Sequence, residues 1–320
     1  MKMRNEEMMR IKSFILALLI AMPLCAANQF VTFTEQANAQ SLKGATIGFN
    51  AQEPKAVQLA AANLQQDFQR VMGFTPAQSD QPVILIGTVG FNKQIDQWVK
   101  SGKLADLKGK REKFIITTID GQVVIAGSDR RGTVFGIYEL SRQMGVSPWY
   151  WWMDVPVTKR DYVGILPGQY TDGEPAVEFR GLFLNDEAPC LTSWVKNTFG
   201  TGYGDHRFYA KVFELILRLK GNMLWPAMWG WAFYADDPEN SKTADEMGVI
   251  MGTSHHEPMA RNHQEYARKR NEWGPWNYQK NQQKLDQFFR EGIERMKGTE
   301  DMVTIGMRGD GDEAMSEDAD

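Results

Sequence analysis

Cysteine and histidine are scarce in this chain, and so is net charge of either sign. The sequence has 2 cysteines and 4 histidines in 320 residues, and its net charge is −4. If Cys25 is removed with an N-terminal segment, Cys190 has no partner within the chain, which excludes a fold held by internal disulfide bonds. The charge balance gives no electrostatic basis for binding nucleic acid or an anionic membrane surface.

Long hydrophobic runs are also missing, apart from one near the N-terminus. Residues 14–25 are apolar, follow two basic residues and lead into two alanines, which is typical of a secretory signal peptide and too short for a transmembrane helix. We therefore expect a signal peptide over residues 1–27 and a secreted or periplasmic protein. Lipidation of Cys25 is the disfavoured alternative, because Leu24 is larger than the small residue usual before a lipidated cysteine.

Residues 41–165 predict a small mixed α/β domain. Apolar residues recur with helical spacing in two segments, and short apolar runs bounded by turn residues predict strands. Asp120-Gly121 between two such runs is a strong hairpin signal. The predicted strands are residues 45–49, 82–87, 113–118 and 122–126, and the predicted helices are residues 56–72, ending at Gly73, and 132–144.

An aromatic segment, residues 147–152, follows this domain, and residues 166–175 have the glycine and proline content of a linker. The aromatic residues could form a platform on which a sugar stacks, or an apolar contact between two domains. We favour the contact between domains, because the segment lies between a helix and a linker.

Residues 176–320 alternate strand and helix patterns. Strands are predicted at residues 177–184, 222–229, 248–253 and 302–307, and helices at residues 206–220, 243–247 and 277–297. We expect the first strand to be buried on at least one face. This order predicts parallel strands, as in a (β/α)8 barrel. A complete barrel needs about 250 residues and residues 176–320 are 145, so we expect the first half of a barrel. The alternative is a complete open sheet of four strands.

If the barrel is cut after four strands, its first and fourth strands each have an unpaired edge, and apolar strand faces are uncovered. We then expect the first domain to fold alone and the second to be poorly soluble. A monodisperse, cooperatively melting sample of residues 28–320 would contradict this expectation.

Polar residues follow each of the four predicted strands. In a parallel barrel the carboxyl ends of the strands meet on one face, so these residues predict one shared site. They are Asn185, Asp186 and Glu187 after the first strand, Trp229 and Trp231 after the second, Ser254, His255, His256 and Glu257 after the third, and Arg308, Asp310, Asp312 and Glu313 after the fourth.

Two metal sites are weaker alternatives. Zinc hydrolases place two histidines four residues apart on a helix, whereas His255 and His256 are adjacent and His263 lies seven residues further on. The acidic turn at residues 308–313 lacks the spacing of a calcium loop. Arg308 could instead bind a substrate carboxylate, or neutralise the neighbouring aspartates. We expect no metal and no cofactor.

Four segments together resemble glycoside hydrolase family 115, the xylan α-1,2-glucuronidases: FRGLFLNDEAP, GNMLWPAMW, MGTSHHEPM and IGMRGDGDE. Two segments of the first domain, IAGSDRRGTVFGIYELS and GVSPWYWW, also resemble that family. The resemblance implies an N-terminal α/β domain, a catalytic barrel and inverting removal of glucuronic acid or its 4-O-methyl ether from xylan. It also implies further catalytic carboxylates on later strands, so we expect this chain alone to be inactive.

The resemblance and the strand-end pattern together lead to a set of site assignments. We assign Asp312 and Asp186 as catalytic residues, and Asn185, Trp229, His255, Glu257, Arg308 and Asp310 as substrate-binding residues. The expected partner is a glucuronoxylan polysaccharide, with homodimerisation of the full-length protein left open. A non-catalytic carbohydrate-binding protein and a metal-dependent hydrolase are the alternatives. Loss of activity on adding a chelator would favour the metal enzyme.

Overall fold

The computed structural model describes residues 29–185, 189–306, 309, 310 and 314. The signal peptide predicted over residues 1–27 lies outside this part of the chain. Among the described residues, no helix is long and apolar enough to cross a membrane.

The described chain has two halves, each built on strands with helices packed against them. In the first half the strands are β1 (Val31–Thr32), β2 (Gln40–Ser41), β3 (Ile47–Gly48), β4 (Ile84–Thr88), β5 (Phe114–Ile119), β6 (Gln122–Gly127), β7 (Gly164–Ile165) and β8 (Gln169–Tyr170), and the helices are α1 (Lys55–Met72), α2 (Lys93–Lys100) and α3 (Arg130–Gln143). In the second half the strands are β9 (Gly181–Phe183), β10 (Met223–Trp225) and β11 (Ile250–Met251). The helices there are α4 (Cys190–Phe199), α5 (His206–Arg218), α6 (Phe233–Asp236), α7 (Glu239–Met247), α8 (His263–Arg268), α9 (Arg270–Trp273) and α10 (Tyr278–Arg295).

The main sheet of the first half has the order β3-β4-β6-β5-β8. Strands β3, β4 and β6 are parallel, whereas β5 runs antiparallel to both of its neighbours. The β5–β6 hairpin turns at Asp120 and Gly121, whose φ angles of 52° and 81° are the left-handed values that such a two-residue turn requires. The predicted mixed sheet and its hairpin are confirmed.

Helix α1 buries an apolar stripe that includes Val57, Leu64 and Phe68 in the core formed with α3 and the sheet. The helix ends where Gly73 adopts a left-handed conformation, with a φ of 80°, and its N–H donates to the carbonyl of Gln69. Glycine is favoured there because it has no Cβ to oppose this conformation. The predicted helix and its terminating glycine are confirmed.

A second sheet of the first half has the order β1-β7-β2 and was not predicted. Each of its strands has 2 residues, which is too short to show any alternation of apolar and polar residues. Strand β8 lies within the predicted linker 166–175 and pairs with β5 at the edge of the main sheet.

The second half begins as a parallel sheet in the order β11-β10-β9. Strand β10 pairs in parallel with both β9 and β11, and helices α5 and α7 connect consecutive strands. Gly181 is required for the pairing, because a Cβ at this position would lie 2.2 Å from the carbonyl oxygen of Met223. The predicted strand–helix alternation is therefore confirmed for three strands.

The prediction of a fourth strand at residues 302–307 is wrong for the described residues 302–306, which form no strand. The Met302 N–H donates to the carbonyl of Met251 at 2.8 Å, and the Thr304 hydroxyl donates to the carbonyl of Thr253 at 2.6 Å. The Thr304 carbonyl accepts from the N–H of Met259, in the loop after β11. Because that loop takes the bond a strand ladder would need, the segment lies beside β11 without extending the sheet.

The prediction that the first strand of this half is buried on at least one face is also wrong. Leu182 and Phe183 of β9 are 48% and 44% exposed, and Trp225 of β10 is 36% exposed. Strand β9 is the edge strand of this sheet, and Leu182 and Phe183 point to its opposite faces, so among the described residues neither face of β9 is covered. An apolar composition therefore identified the strand but not its surroundings.

The aromatic segment at residues 147–152 packs between the two halves. Trp152 stacks on Trp194 of α4 with ring centroids 5.5 Å apart, and its indole N–H donates to the carbonyl of Lys211 in α5. Tyr150 donates its hydroxyl proton to Glu214, also in α5. This agrees with an apolar contact between domains and not with a free sugar platform.

Buried charge also joins the halves. Glu112 is 1% exposed at its side chain and accepts hydrogen bonds from Arg131 of α3 and from Arg180 and Asn222 of the second half. Arg218 of α5 pairs in the same way with the fully buried Asp67 of α1. Because buried charges are stable only when paired, these contacts fix how the two halves dock.

Candidate active site

The loops after β10 and β11 lie side by side, because the two strands are parallel and their carboxyl ends share one edge. Trp229, in the loop after β10, has its ring centroid 5.6 Å from that of His256, in the loop after β11. The Trp229 side chain is 48% exposed, and its carbonyl accepts a hydrogen bond from Gln264 of α8 at 2.7 Å. A half-exposed indole held in this way offers a flat face on which a sugar ring can stack.

The loop after β11 is held tightly by its buried residues. The Thr253 hydroxyl donates to the carbonyl of Glu257 at 2.6 Å, and the buried Ser254 hydroxyl donates to the sulfur of Met228 at 2.6 Å. Between these anchors the rings of His255 and His256 lie 4.5 Å apart, with His255 exposed and His256 half-buried. The loop thus presents two imidazoles, whose ring nitrogens can form hydrogen bonds with hydroxyl groups.

The same loop contains strained backbone. Met259 and Ala260 both have a φ of 55°, a left-handed value that residues with a side chain rarely adopt. Gly292 of α10 packs directly against this turn, since a Cβ there would lie 2.1 Å from the carbonyl oxygen of Met259. Such strain persists only where the surroundings fix the backbone, and it is concentrated at functional sites.

Glu257 lies beneath the loop and not on its surface. Its side chain is fully buried and accepts a hydrogen bond from the amide of Asn262, the residue that caps α8. The carbonyl group of the Asn262 side chain accepts from the N–H of Tyr234 at 3.4 Å. The sequence analysis assigned Glu257 to substrate binding, and the structure encloses its carboxylate in this network.

Asp310 reaches the site from the C-terminal segment. Its Oδ1 lies 2.8 Å from Nε2 of His263, and Arg270 of α9 forms an ion pair with its other oxygen. The Arg270 guanidinium, and then His263, lower the pKa of Asp310 against the opposing effect of its partial burial. Asp310 is therefore ionised at neutral pH.

The structure brings Trp229, His255, His256 and Asp310 into one region, linked through His263, whose ring centroid lies 6.2 Å from that of His256. Asn185 is exposed, two residues beyond β9. Three residues assigned from the sequence lie outside the described residues: Asp186, Arg308 and Asp312.

Among the described residues, no group of three or more histidine, cysteine, aspartate or glutamate side chains is placed to hold a metal ion. The His255, His256 and His263 rings instead contact one another and neighbouring aromatic side chains.

Sequence reasoning missed two kinds of residue here. It considered His263 only as a metal ligand. It overlooked Arg270, which lies 40 positions before its partner Asp310, so no local sequence pattern connects the two. It also overlooked Asp301, a partly buried carboxyl that accepts from the N–H of Met251 at 2.9 Å. Burial raises the pKa of Asp301 to about 6. The sequence signal for Asp301 was its position directly before an apolar run, which is not specific to a functional site.

Comparison with known proteins gives a consistent family assignment. Residues 172–320 match the model described as glycosyl hydrolase family 115. The chain is also similar to a solved structure of a GH115 4-O-methyl-α-glucuronidase with specificity for decorated arabinogalactans. The sequence identity is 34% and the TM-score 0.78, over 90% of this chain and 37% of that one. The chain therefore spans less than two fifths of that protein's length.

Weaker similarities extend to other glycosidases. The chitobiase of Flavobacterium johnsoniae is 13% identical with a TM-score of 0.44, over 71% of this chain and 33% of that one. A mutant β-hexosaminidase of Streptomyces plicatus is 12% identical with a TM-score of 0.45, over 71% of this chain and 44% of that one. Likenesses at this level carry no argument about function. None of the curated proteins compared with the chain matches it.

Proposed function

Because the chain belongs, through residues 172–320, to glycosyl hydrolase family 115, we propose that it is part of an enzyme that removes glucuronic acid or 4-O-methylglucuronic acid from polysaccharide side chains. The observation that carries this proposal is the 34% identity over 90% of the chain to an α-glucuronidase of the same family. That similarity includes both the first α/β half and the strands that lead to the candidate site.

The candidate site has groups suited to binding a sugar, which supports the proposal. The exposed face of Trp229 suits a pyranose ring, and the imidazoles of His255 and His256 can hydrogen-bond to sugar hydroxyls. Arg308, which belongs to the polar cluster after the fourth predicted strand, is proposed to bind the sugar carboxylate, since a guanidinium forms paired hydrogen bonds with that group. Asn185 is proposed as a further contact.

We further propose that β9, β10 and β11 are the first strands of a (β/α)8 barrel. Three consecutive strands are parallel, neighbouring and connected by helices, as at the start of such a barrel. The catalytic chemistry would then lie at the edge where Trp229 and His255 lie, because barrel enzymes use the carboxyl ends of their strands.

The proposed reaction is inverting hydrolysis. One carboxylic acid protonates the departing oxygen, and a carboxylate about 6.5–9.5 Å away activates a water molecule. Asp312 and Asp186 remain our proposed catalytic residues within this sequence, with a further carboxylate contributed by the longer protein. Glu257 is a poor candidate, because its side chain is buried and bonded to Asn262.

Two polysaccharides are candidate substrates. Glucuronoxylan is proposed from the sequence motifs, and a decorated arabinogalactan is the second candidate, because the similar solved enzyme is described as specific for such polymers. The composition of residues 1–27 leads us to propose that the protein is secreted or periplasmic, where either polymer would be met.

The test is release of uronic acid from both polymers by this chain and by the longest product of its gene, assayed side by side. We expect release by the longer protein and little or none by this chain. Release from glucuronoxylan alone, or from arabinogalactan alone, identifies the substrate. If neither protein releases uronic acid but the longer one binds a polymer, the carbohydrate-binding alternative replaces the proposal.

A further inference from the structure

Asp310 is held by two side chains from consecutive short helices. His263 opens α8 and Arg270 opens α9, and each bonds to a different carboxylate oxygen of Asp310. The His263 Nε2 to Asp310 Oδ1 distance is 2.8 Å. Since ion pairs and ionised hydrogen bonds of this kind are stronger than neutral ones, Asp310 is fixed from two directions.

These bonds leave Asp310 poorly suited to chemistry. The Arg270 guanidinium, followed by His263, lowers the pKa of its carboxyl group, so at neutral pH it has no proton to donate as a general acid. Each oxygen already accepts a bond from a donor, which also weakens Asp310 as a base. An ionised carboxylate only accepts hydrogen bonds, so the proton of this contact lies on Nε2 of His263.

His263, which donates to Asp310, is itself held in place by packing against aromatic rings. The His263 ring packs edge-on against Trp276, with centroids 6.0 Å apart, and lies 6.3 Å from the ring of Tyr266. Tyr266 and Trp276 belong to a separate small core with Phe288 of α10. His263 therefore connects a rigid core on one side with the imidazole of His256 and the carboxylate of Asp310 on the other.

We propose that His263, Arg270 and Asp310 form a clamp whose role is to position the segment carrying Arg308 and Asp312. This inference rests on the proposed function, in which those two residues bind and hydrolyse the uronic acid. Asp310 is then a positioning residue and not a sugar contact, and His263 and Arg270 are positioning residues for the same segment. Asp310, the residue that the clamp holds, lies two positions after Arg308 and two positions before Asp312 in the sequence.

The kinetic test uses the longest gene product and three variants. Asp310→Asn and His263→Phe should each lower kcat by about 10- to 100-fold and also raise KM, because the displaced segment carries both the catalytic Asp312 and the carboxylate-binding Arg308. His263→Gln should keep activity within about threefold, since its amide can replace the Nε2 donor. The double variant of Asp310→Asn with His263→Phe should be no worse than Asp310→Asn alone, as for residues that act together.

A second histidine–aspartate pair provides the matched control. His206 Nδ1 lies 2.8 Å from Asp237 Oδ2 at the start of α5. His206→Phe removes the same kind of contact elsewhere in the second half and should leave kcat and KM unchanged. If Asp310→Asn raises KM alone while His263→Phe has no effect, Asp310 binds the sugar directly and the clamp is overturned.

An NMR measurement on the longest gene product separates the clamp from the proposed function. The backbone amide of Gly309 should have an order parameter near 0.85 in the wild type and in His263→Gln, and below about 0.6 in His263→Phe. An unchanged value in His263→Phe overturns the clamp even if the longer enzyme is active. The expected loss of order, in a protein that releases no uronic acid, keeps the clamp and rejects the function.

Discussion

Replacing Glu112 by glutamine should loosen the contact between the two halves. The Glu112 carboxylate accepts from Arg131 Nε at 2.6 Å, from Arg180 Nη2 at 2.6 Å and from Asn222 Nδ2 at 2.9 Å. Glutamine has nearly the same shape, but it has no charge and presents an amide NH2 where one oxygen had been. The two guanidinium groups then face each other across a neutral group that cannot accept from both.

The magnitude follows from burial. Removing one partner of a buried ion pair costs about 3–5 kcal/mol, because the remaining charge stays desolvated. Glu112 is 1% exposed at its side chain, whereas Arg131 and Arg180 are 13% and 24% exposed and are partly screened by water. We therefore expect the lower end of the range, a loss of about 3 kcal/mol in the free energy of unfolding.

Urea unfolding followed by circular dichroism measures the effect without the ionic screening of guanidinium. The Glu112→Gln midpoint should fall by about 1 M, a shift expected for a domain of this size. Glu239→Gln is the control, since the ion pair of Glu239 with Lys242 is exposed, with both side chains more than half exposed. It should change stability by less than about 0.5 kcal/mol. If Glu112→Gln and Glu239→Gln have the same urea midpoint, the buried pair does not stabilise the docking of the halves.

Two further predictions concern the supports of the site. Burial raises the pKa of Asp301 to about 6 from 3.8, so its contribution to stability is complete below pH 3.8 and is lost as the pH rises through 6. Asp301→Asn keeps an acceptor for the Met251 N–H, and at pH 8 it should be more stable than wild type by up to about 3 kcal/mol. If the difference in free energy of unfolding between Asp301→Asn and wild type, measured in urea, were the same at pH 4 and pH 8, this prediction would be contradicted. Gly292→Ala places a Cβ 2.1 Å from the Met259 carbonyl oxygen and should destabilise by about 1–3 kcal/mol. Gly202→Ala, with nothing within 4 Å of its Cβ, is the control, and an equal effect of the two changes would argue against the tight contact.

Local signals in the sequence were sufficient for the elements that depend on local chemistry. The hairpin at Asp120-Gly121 and the end of α1 at Gly73 depend on left-handed backbone, which these residues adopt readily. The helices α1, α3 and α5 have apolar stripes long enough to show a period. Strands β1, β2 and β7 have 2 residues each and show none.

The contacts of the site depend on long-range packing, which sequence spacing does not encode. The strand-end pattern pointed to Trp229 and His255, whose loops follow the parallel strands β10 and β11. It also pointed to Asp310, although the described residues 302–306 before it form no strand. It could not show that Glu257 points inward to Asn262, since adjacent loop residues have no fixed facing. It also could not connect Asp310 with Arg270, because that ion pair requires α8 and α9 to be folded against the C-terminal segment.

The most direct test of the account is whether the loops after β10 and β11 bind a uronic acid. Isothermal titration of the longest gene product with 4-O-methylglucuronic acid would compare wild type, Trp229→Ala and Trp149→Ala, two tryptophans that are 48% and 39% exposed. The account predicts that Trp229→Ala weakens binding at least about tenfold, equivalent to about 1.4 kcal/mol, while Trp149→Ala stays within about twofold. Equal affinities for wild type and Trp229→Ala would contradict it.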